Sequence, residues 1–274
     1  MTALVRLQKR LADLKIYSKK SLGQNFLISD LVINKILVAV EVEKPTRVIE
    51  IGPGCGALTD LLISKYRDLT LIELDRNLAE FWRDYILSHS HSIKLIEADA
   101  LQMVWNFSAE YMLVSNLPYQ ISSSLVIDRS LDQIQLKSMV LMFQKEVAQR
   151  IRALPQTEHY GMLSVFAQEF WTMSTVCDAG SRDFRPAPKV SSRVLKFISK
   201  KSNIADKKQY LMFVKTCFRQ RRRVLSNNIS SLDSNFDQSK LNLWLVDNKK
   251  NAKIRVEELS PPEINSLYHF LRVF

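Results

Sequence analysis

From Arg47 to Phe143, short apolar runs alternate with segments whose apolar residues recur every three or four positions. The run Arg47-Val48-Ile49-Glu50-Ile51 predicts a buried strand, followed by a helix over residues 57–66. Residues 69–74 predict a second strand, and 78–87 a helix with Phe81, Trp82 and Tyr85 as core candidates. A third strand over 93–96 ends at Asp99, and a fourth over 111–115 runs into Asn116. A helix over 121–129, a fifth strand over 138–143 and a helix over 146–152 complete the series. Repeated strand–helix units imply a parallel sheet covered on both faces.

Upstream, residues 23–27 form a turn. A helix then starts at Ser29 or Asp30 as N-cap, with Leu31, Ile33, Ile36, Leu37 and Val40 on its apolar face, and Pro45 ends that region. Downstream, residues 160–176 read as a helix and then a strand, and 194–198 as one more strand. Between them lies the proline-punctuated loop Phe184-Arg185-Pro186-Ala187-Pro188-Lys189. After the polar linker Lys200-Lys201-Ser202-Asn203 the pattern becomes helical, with Tyr210, Val214, Cys217 and Phe218 on one face and Lys215, Arg219, Arg222 and Arg223 on the other. A last helix opens with a capping box from Ser260 to Glu263 and Pro261 in its first turn. The expected organisation is a Rossmann-like α/β sheet domain over 1–200, carrying a basic N-terminal arm, and a smaller all-helical C-terminal domain over 201–274.

Composition changes this picture in one respect. The formal charge of +11 over 274 residues points to a polyanionic partner, nucleic acid before membrane. The arm's Arg6, Lys9, Arg10, Lys15, Lys19 and Lys20 are candidates for phosphate contact. Cys55, Cys177 and Cys217 show no C-x-x-C spacing, and His89, His91, His159 and His269 no metal-ligand spacing, so neither a disulfide framework nor a metal site is expected. No stretch reads as a signal peptide or a membrane span.

Ligands of open parallel sheets bind beyond the carboxyl ends of the strands, and four such ends carry distinctive chemistry. The first is Glu50-Ile51-Gly52-Pro53-Gly54-Cys55-Gly56. Its G-x-G-x-G spacing lacks the phosphate cradle of dinucleotide binders and suits a nucleoside with an amino-acid tail. Glu73 ends the second strand and can accept from ribose hydroxyls. Asp99 ends the third and can accept from an adenine amine. The fourth end is Asn116-Leu117-Pro118-Tyr119, where a proline keeps the backbone out of helix and sheet. An amide oxygen, bare carbonyls and an aromatic face there make a receptor for a flat ring bearing an amino group. Together the four ends read as an S-adenosylmethionine pocket.

The motifs Leu22-Gly23-Gln24-Asn25-Phe26-Leu27, 50–56 with Leu58-Thr59, Ile72-Glu73-Leu74-Asp75, Asp99-Ala100, 116–119, Gln144-Lys145-Glu146-Val147-Ala148, 184–190 and Phe218-Arg219-Gln220-Arg221-Arg222-Arg223 occur in one order along nearly the whole chain. In this the sequence resembles the ribosomal RNA adenine dimethyltransferase family, most closely its bacterial small-subunit branch. The resemblance implies that Asn25, Leu27, Gly52, Glu73, Asp99 and Asn116 contact S-adenosylmethionine. It implies that Tyr119 stacks on the target adenine and that Phe184 closes its other side. Gln120 departs from the asparagine often found after the tyrosine.

The implied reaction moves methyl groups to the N6 amines of two adjacent adenosines in a hairpin loop near the 3′ end of 16S rRNA, with a role in small-subunit biogenesis. Asn116 Oδ1 and the Leu117 carbonyl are the expected proton acceptors, Tyr119 the base platform, and Arg221, Arg222 and Arg223, with Lys189 and Arg193, the phosphate contacts. A cytoplasmic monomer without a metal is expected. The alternatives are a large-subunit rRNA adenine methylase conferring antibiotic resistance, a DNA adenine methylase, and a non-catalytic ribosome-assembly or nucleic-acid-binding factor. The DNA enzymes usually carry a second proline where this chain has Leu117.

Overall fold

A computed structural model describes residues 1–14, 24–89, 93–132, 135–230 and 237–271. Lys15, Lys19, Lys20, Leu22, Gly23 and His91 of the sequence reading lie outside the described residues. In chain order the elements are α1 (Ala3–Leu14), β1 (Phe26–Leu27), α2 (Asp30–Glu41), β2 (Arg47–Ile51), α3 (Thr59–Lys65), β3 (Asp68–Glu73) and α4 (Arg76–His89). Then come β4 (Lys94–Glu97), β5 (Tyr111–Asn116), α5 (Ser122–Leu131), β6 (Leu136–Gln144), α6 (Lys145–Ile151), α7 (Met162–Phe170) and β7 (Trp171–Ala179). The series closes with β8 (Phe184–Arg185), β9 (Ser192–Ser199), α8 (Lys207–Cys217), α9 (Leu225–Ile229), α10 (Gln238–Asp247) and α11 (Pro261–Leu271).

Seven strands form one sheet in the order β4-β3-β2-β5-β6-β9-β7, and β1 pairs with β8 in a separate two-stranded sheet. β2 through β6 are parallel neighbours, as the alternation predicts. Their interior positions are buried consecutively: Val48 and Ile49, Leu113 and Val114, Met139 to Phe143. That pattern belongs to strands covered on both faces. Each such aliphatic side chain contributes roughly 1.5–3 kcal/mol on burial, so the sheet interior, not its polar rim, carries the stability. β9 departs from the parallel expectation and runs antiparallel to β6, from Gln144↔Ser192 to Ser138↔Ile198. No α-helix separates β9 from β7, its neighbour at the edge of the sheet, whereas α6 and α7 lie between β6 and β7.

Two compact units divide the chain: Met1–Ala148 with Met173–Ser199, and Gln149–Thr172 with Lys200–Phe274. The sequence reading draws one boundary near 200 and assigns 149–172 to the sheet domain. In the structure α7 instead packs on α8 and α11. Six of the nine residues of α7 are buried and none is exposed, and a helix apolar on several faces must be covered by other elements. Phe166 stacks on Tyr210 at 6.2 Å, Phe170 meets it edge-on, and the Tyr160 hydroxyl donates to the Leu259 carbonyl at 2.7 Å. At the start of α11 the backbone N–H and hydroxyl of Ser260 both donate to Glu263 Oε2 at 2.7 Å, so the expected reciprocal cap is half formed.

Two further expectations change. The N-terminal residues expected as a basic arm form an amphipathic helix, α1, with Ala3 and Leu7 buried in the first unit. The arginine cluster is not on a helix face, because α8 stops at Cys217 and residues 218–223 form turns. The Asn228 amide stops it there, donating to the carbonyls of Cys217 at 2.8 Å and Gln220 at 3.1 Å.

Candidate functional site

Because β2, β3, β4 and β5 end in register, their carboxyl ends open onto one cleft enclosing about 970 Å³, its mouth included. Asn25, Gly52, Glu73, Asp99, Asn116, Leu117 and Tyr119 all line it. Phe26, Ile51, Ile72, Leu78 and Ile121 supply apolar wall. Among the described lining residues there is no lysine, arginine or histidine, while two are carboxylates. Such a wall repels phosphate and favours a neutral nucleoside joined to a cation. The charge of the lining fits S-adenosylmethionine, an uncharged nucleoside joined to a sulfonium.

The glycine turn between β2 and α3 lies against one wall. Gly52, Gly54 and Gly56 have φ of 66°, 53° and 80°, a region costly to residues with a Cβ. Gly52 N–H donates to the Ile72 carbonyl at 2.8 Å, which ties the turn to β3. Glu73 is the hub. Its Oε1 accepts the N–H groups of Leu74 and Asp75, each at 2.9 Å, and Oε2 accepts that of Gly54 at 3.2 Å. Burial pushes its carboxyl upward in pKa, and those three N–H donors oppose the shift. Asp99 is fixed by the Leu101 N–H at 2.9 Å and the Gln102 side chain at 3.0 Å.

At the end of β5, Asn116 Nδ2 donates to the Asn25 carbonyl at 3.1 Å. A carbonyl can only accept, so this contact sets the amide's orientation and leaves Oδ1 as the group Asn116 offers the cleft. The Pro118 carbonyl accepts from Ile121 N–H, and the Tyr119 carbonyl from the Ser122 hydroxyl at 2.8 Å. Among the described residues nothing donates to the Leu117 carbonyl, as the proline geometry predicts. Tyr119 is half-buried, and its hydroxyl lies 2.7 Å from Ser192 Oγ. Burial raises the phenol's pKa, which keeps it protonated.

Several predicted site residues sit elsewhere. Leu27 and Phe184 face each other across the β1–β8 pair and are fully buried in the core with Val32, Ile33 and Ala179. Neither lines the cleft, so Phe184 has no face free for a base, and the Leu27 side chain belongs to the core. Arg221 is consumed within the second unit. Its Nε meets Glu257 at 2.5 Å, Nη2 donates to the Thr157 carbonyl at 2.7 Å, and Nη1 to that of Glu158. Arg193 forms a two-point pair with Asp178, which holds that carboxyl down at about 2, with Lys145 beside it. Arg222 and Arg223 remain exposed.

The sequence reading missed Trp82 and Ser192. Periodicity predicts Trp82 for the core, and it is buried, yet its indole N–H donates to the Gly54 carbonyl at 2.9 Å. Nothing local signals either role, because both partners are distant in sequence.

Residues 16–272 match the family model described as ribosomal RNA adenine dimethylase. The chain belongs to the ribosomal RNA adenine dimethylase family. It is therefore a methyltransferase, dependent on S-adenosylmethionine, and its substrate is ribosomal RNA. A relative in Bdellovibrio bacteriovorus, named ribosomal RNA small subunit methyltransferase A, is 48% identical over 97% of both chains. One of the same name in Borrelia garinii is 35% identical, over 93% of this chain and 91% of its own. The dimethylase fold recurs in a dimethyladenosine transferase from Plasmodium falciparum, with a TM-score of 0.74 at 24% identity over 89% of this chain and 96% of that one. It recurs also in the 23S rRNA methyltransferase ErmE, with a TM-score of 0.67 at 24% identity over 90% of this chain and 100% of that one. Among the described residues no helix is long and apolar enough to cross a membrane.

Proposed function

We propose that the cleft at the sheet's rim binds S-adenosylmethionine and presents it to the N6 amines of two adjacent adenosines in a hairpin loop near the 3′ end of 16S rRNA. The product is N6,N6-dimethyladenosine. The observation that carries this reading is the pair of acceptors at one strand end, Asn116 Oδ1 and the Leu117 carbonyl, to which nothing among the described residues donates, beside the Tyr119 ring.

Glu73 would accept the ribose hydroxyls, Asp99 the adenine amine of the donor, and Asn25, Gly52 and Asn116 would line its tail. Bound there, the donor supplies a methyl carbon made electrophilic by a positively charged sulfur. The chain's own residues do the rest. The target amine's lone pair is conjugated into its ring and is a poor nucleophile. Asn116 Oδ1 and the Leu117 carbonyl accept its two N–H groups and draw nitrogen toward a tetrahedral, reactive form. No strong base is needed: as the nitrogen–carbon bond forms the carbon–sulfur bond breaks, sulfur keeps the electron pair and leaves as a neutral thioether, and the amine proton, now acidic, passes to water. A monomethylated amine still has one N–H to offer, and one acceptor suffices to hold it. Alignment of the reacting atoms can supply roughly 7–11 kcal/mol.

Tyr119 gives the extracted base a face to stack on, worth roughly 1–3 kcal/mol. Extraction from a hairpin loop costs less than from a duplex. Arg222 and Arg223 suit phosphate contact. The small-subunit substrate is supported by the names of the relatives in Bdellovibrio bacteriovorus and Borrelia garinii, and the same reading makes the protein a cytoplasmic monomer that acts during small-subunit biogenesis. Incubation with labelled S-adenosylmethionine and unmethylated small subunits, followed by mapping, tests it. Label on two adjacent 16S adenosines is expected, and label confined to the large subunit or absent overturns the reading.

A further inference from the structure

The glycine turn is gripped from three sides. Glu73 takes the Gly54 N–H and Trp82 takes the Gly54 carbonyl. The third grip comes from α1, where Arg10 Nη1 donates to the Cys55 carbonyl at 2.6 Å. Arg10 Nη2 reaches Asp60 Oδ1, also at 2.6 Å, on the helix that follows the turn. The guanidinium lies over Phe81 and Trp82, 5.2 and 5.3 Å from their ring centroids, a favourable place for a cation. Gly56 makes room for it: a Cβ there would collide with Arg10 and come within 3.0 Å of both Trp82 and Asp60. The helix that carries Arg10 is seated by Ala3 and Leu7 and by the Ala3 N–H, which donates to Asp30 Oδ1 at 3.0 Å.

We propose that Arg10 is a positioning residue for the methyl donor, fixing the outer half of the glycine turn in its binding shape. The inference rests on the cofactor site proposed above. It reverses what composition suggests for this arginine, since its guanidinium faces the protein and not an RNA phosphate. Planar two-point donation is what the site uses, and lysine cannot reproduce it.

The test uses the full chain as wild type, Arg10→Ala and Arg10→Lys. S-adenosylhomocysteine affinity is measured by calorimetry without RNA, and steady-state rates with unmethylated small subunits. Arg10→Ala is expected to weaken S-adenosylhomocysteine about tenfold, which converts to about 1.4 kcal/mol, and to raise KM for S-adenosylmethionine alike. KM for the ribosomal substrate and kcat should stay unchanged, and Arg10→Lys should fall between the two proteins. Unchanged S-adenosylhomocysteine affinity overturns the proposal, and so does a loss seen only in KM for the ribosomal substrate. If Arg10→Ala fails to fold, Arg10→Lys alone decides by the same readouts. Glu73→Ala separates the two levels. Loss in Glu73→Ala with Arg10→Ala intact sinks the role of Arg10 only, and no loss in either sinks the cofactor site as well.

Discussion

The side-chain N–H of Asn116 rests on the main-chain carbonyl of Asn25, 3.1 Å away and 91 residues earlier in the chain. A single hydrogen bond thereby decides which end of the amide is left to the cleft. Aspartate at this position would have no proton to give Asn25 and would repel its carbonyl. Both Asn116→Ala and Asn116→Asp are therefore expected to lower kcat by about 10²-fold or more, the scale of a misplaced reacting group. S-adenosylhomocysteine affinity should change far less. Near-normal dimethyladenosine formation by Asn116→Ala would remove the residue from the reaction.

Tyr119 and Ser192 form the second such pair, joined at 2.7 Å. If the ring is the base platform, its face matters more than its hydroxyl. Tyr119→Ala should cost roughly 1–3 kcal/mol in rRNA binding or turnover, while Tyr119→Phe and Ser192→Ala should each cost less. Combining the last two should add little to either, because both delete the same hydrogen bond. Additive losses in the double variant would mean that Ser192 acts independently of the tyrosine.

Glu50 predicts a pH dependence of stability. It is buried beneath the glycine turn, its Oε2 has no partner among the described residues, and burial, the largest cause, raises its carboxyl from 4.5 to about 8. The folded state thus binds the proton more tightly than the unfolded state does. The resulting stability is complete below the unfolded value of 4.5 and is lost as pH rises through about 8. Glu50→Gln, which cannot ionise, should gain on the wild type steadily across that window in urea unfolding of the ligand-free protein. Parallel pH profiles for the two proteins would show that Glu50 does not carry the effect.

The arginine cluster divides. Arg221→Ala removes three intramolecular donor contacts and should destabilise the second unit by roughly 1–3 kcal/mol, read as a lower urea midpoint. Arg222→Glu with Arg223→Glu should leave that midpoint alone, weaken rRNA binding and flatten its salt dependence by about one unit of slope per lost phosphate contact. Equal effects of all three arginines on RNA affinity would contradict the division.

The strand ends were legible because each apolar run has a polar residue or a glycine at or near its end. Glu73, Asp99 and Asn116 could be placed on one rim from periodicity and the rule for parallel sheets alone. What stayed hidden were choices between partners far apart in sequence. Leu27 and Phe184 look like site residues within their motifs, yet their pairing across β1 and β8 sends both inward. Arg10 and Arg221 look like RNA contacts by charge, and only the positions of Cys55, Asp60 and Glu257 show that their donors are spent inside the protein. The boundary near 200 marks a true change of pattern, but α7 carries no local mark of the helices that cover it.

The reversed direction of β9 has a geometric outcome. A parallel strand delivers its last residue to the edge that bears the cleft, and whatever comes next must leave as a loop. A strand entering from that edge delivers its first residue, Ser192, opposite Gln144. A segment from late in the chain can thus plant one hydroxyl beside Tyr119 and then dive into the interior, anchored at once by the pairing behind it. The tyrosine is steadied by a residue on rigid sheet, although Tyr119 itself lies past the end of β5 and belongs to no regular element.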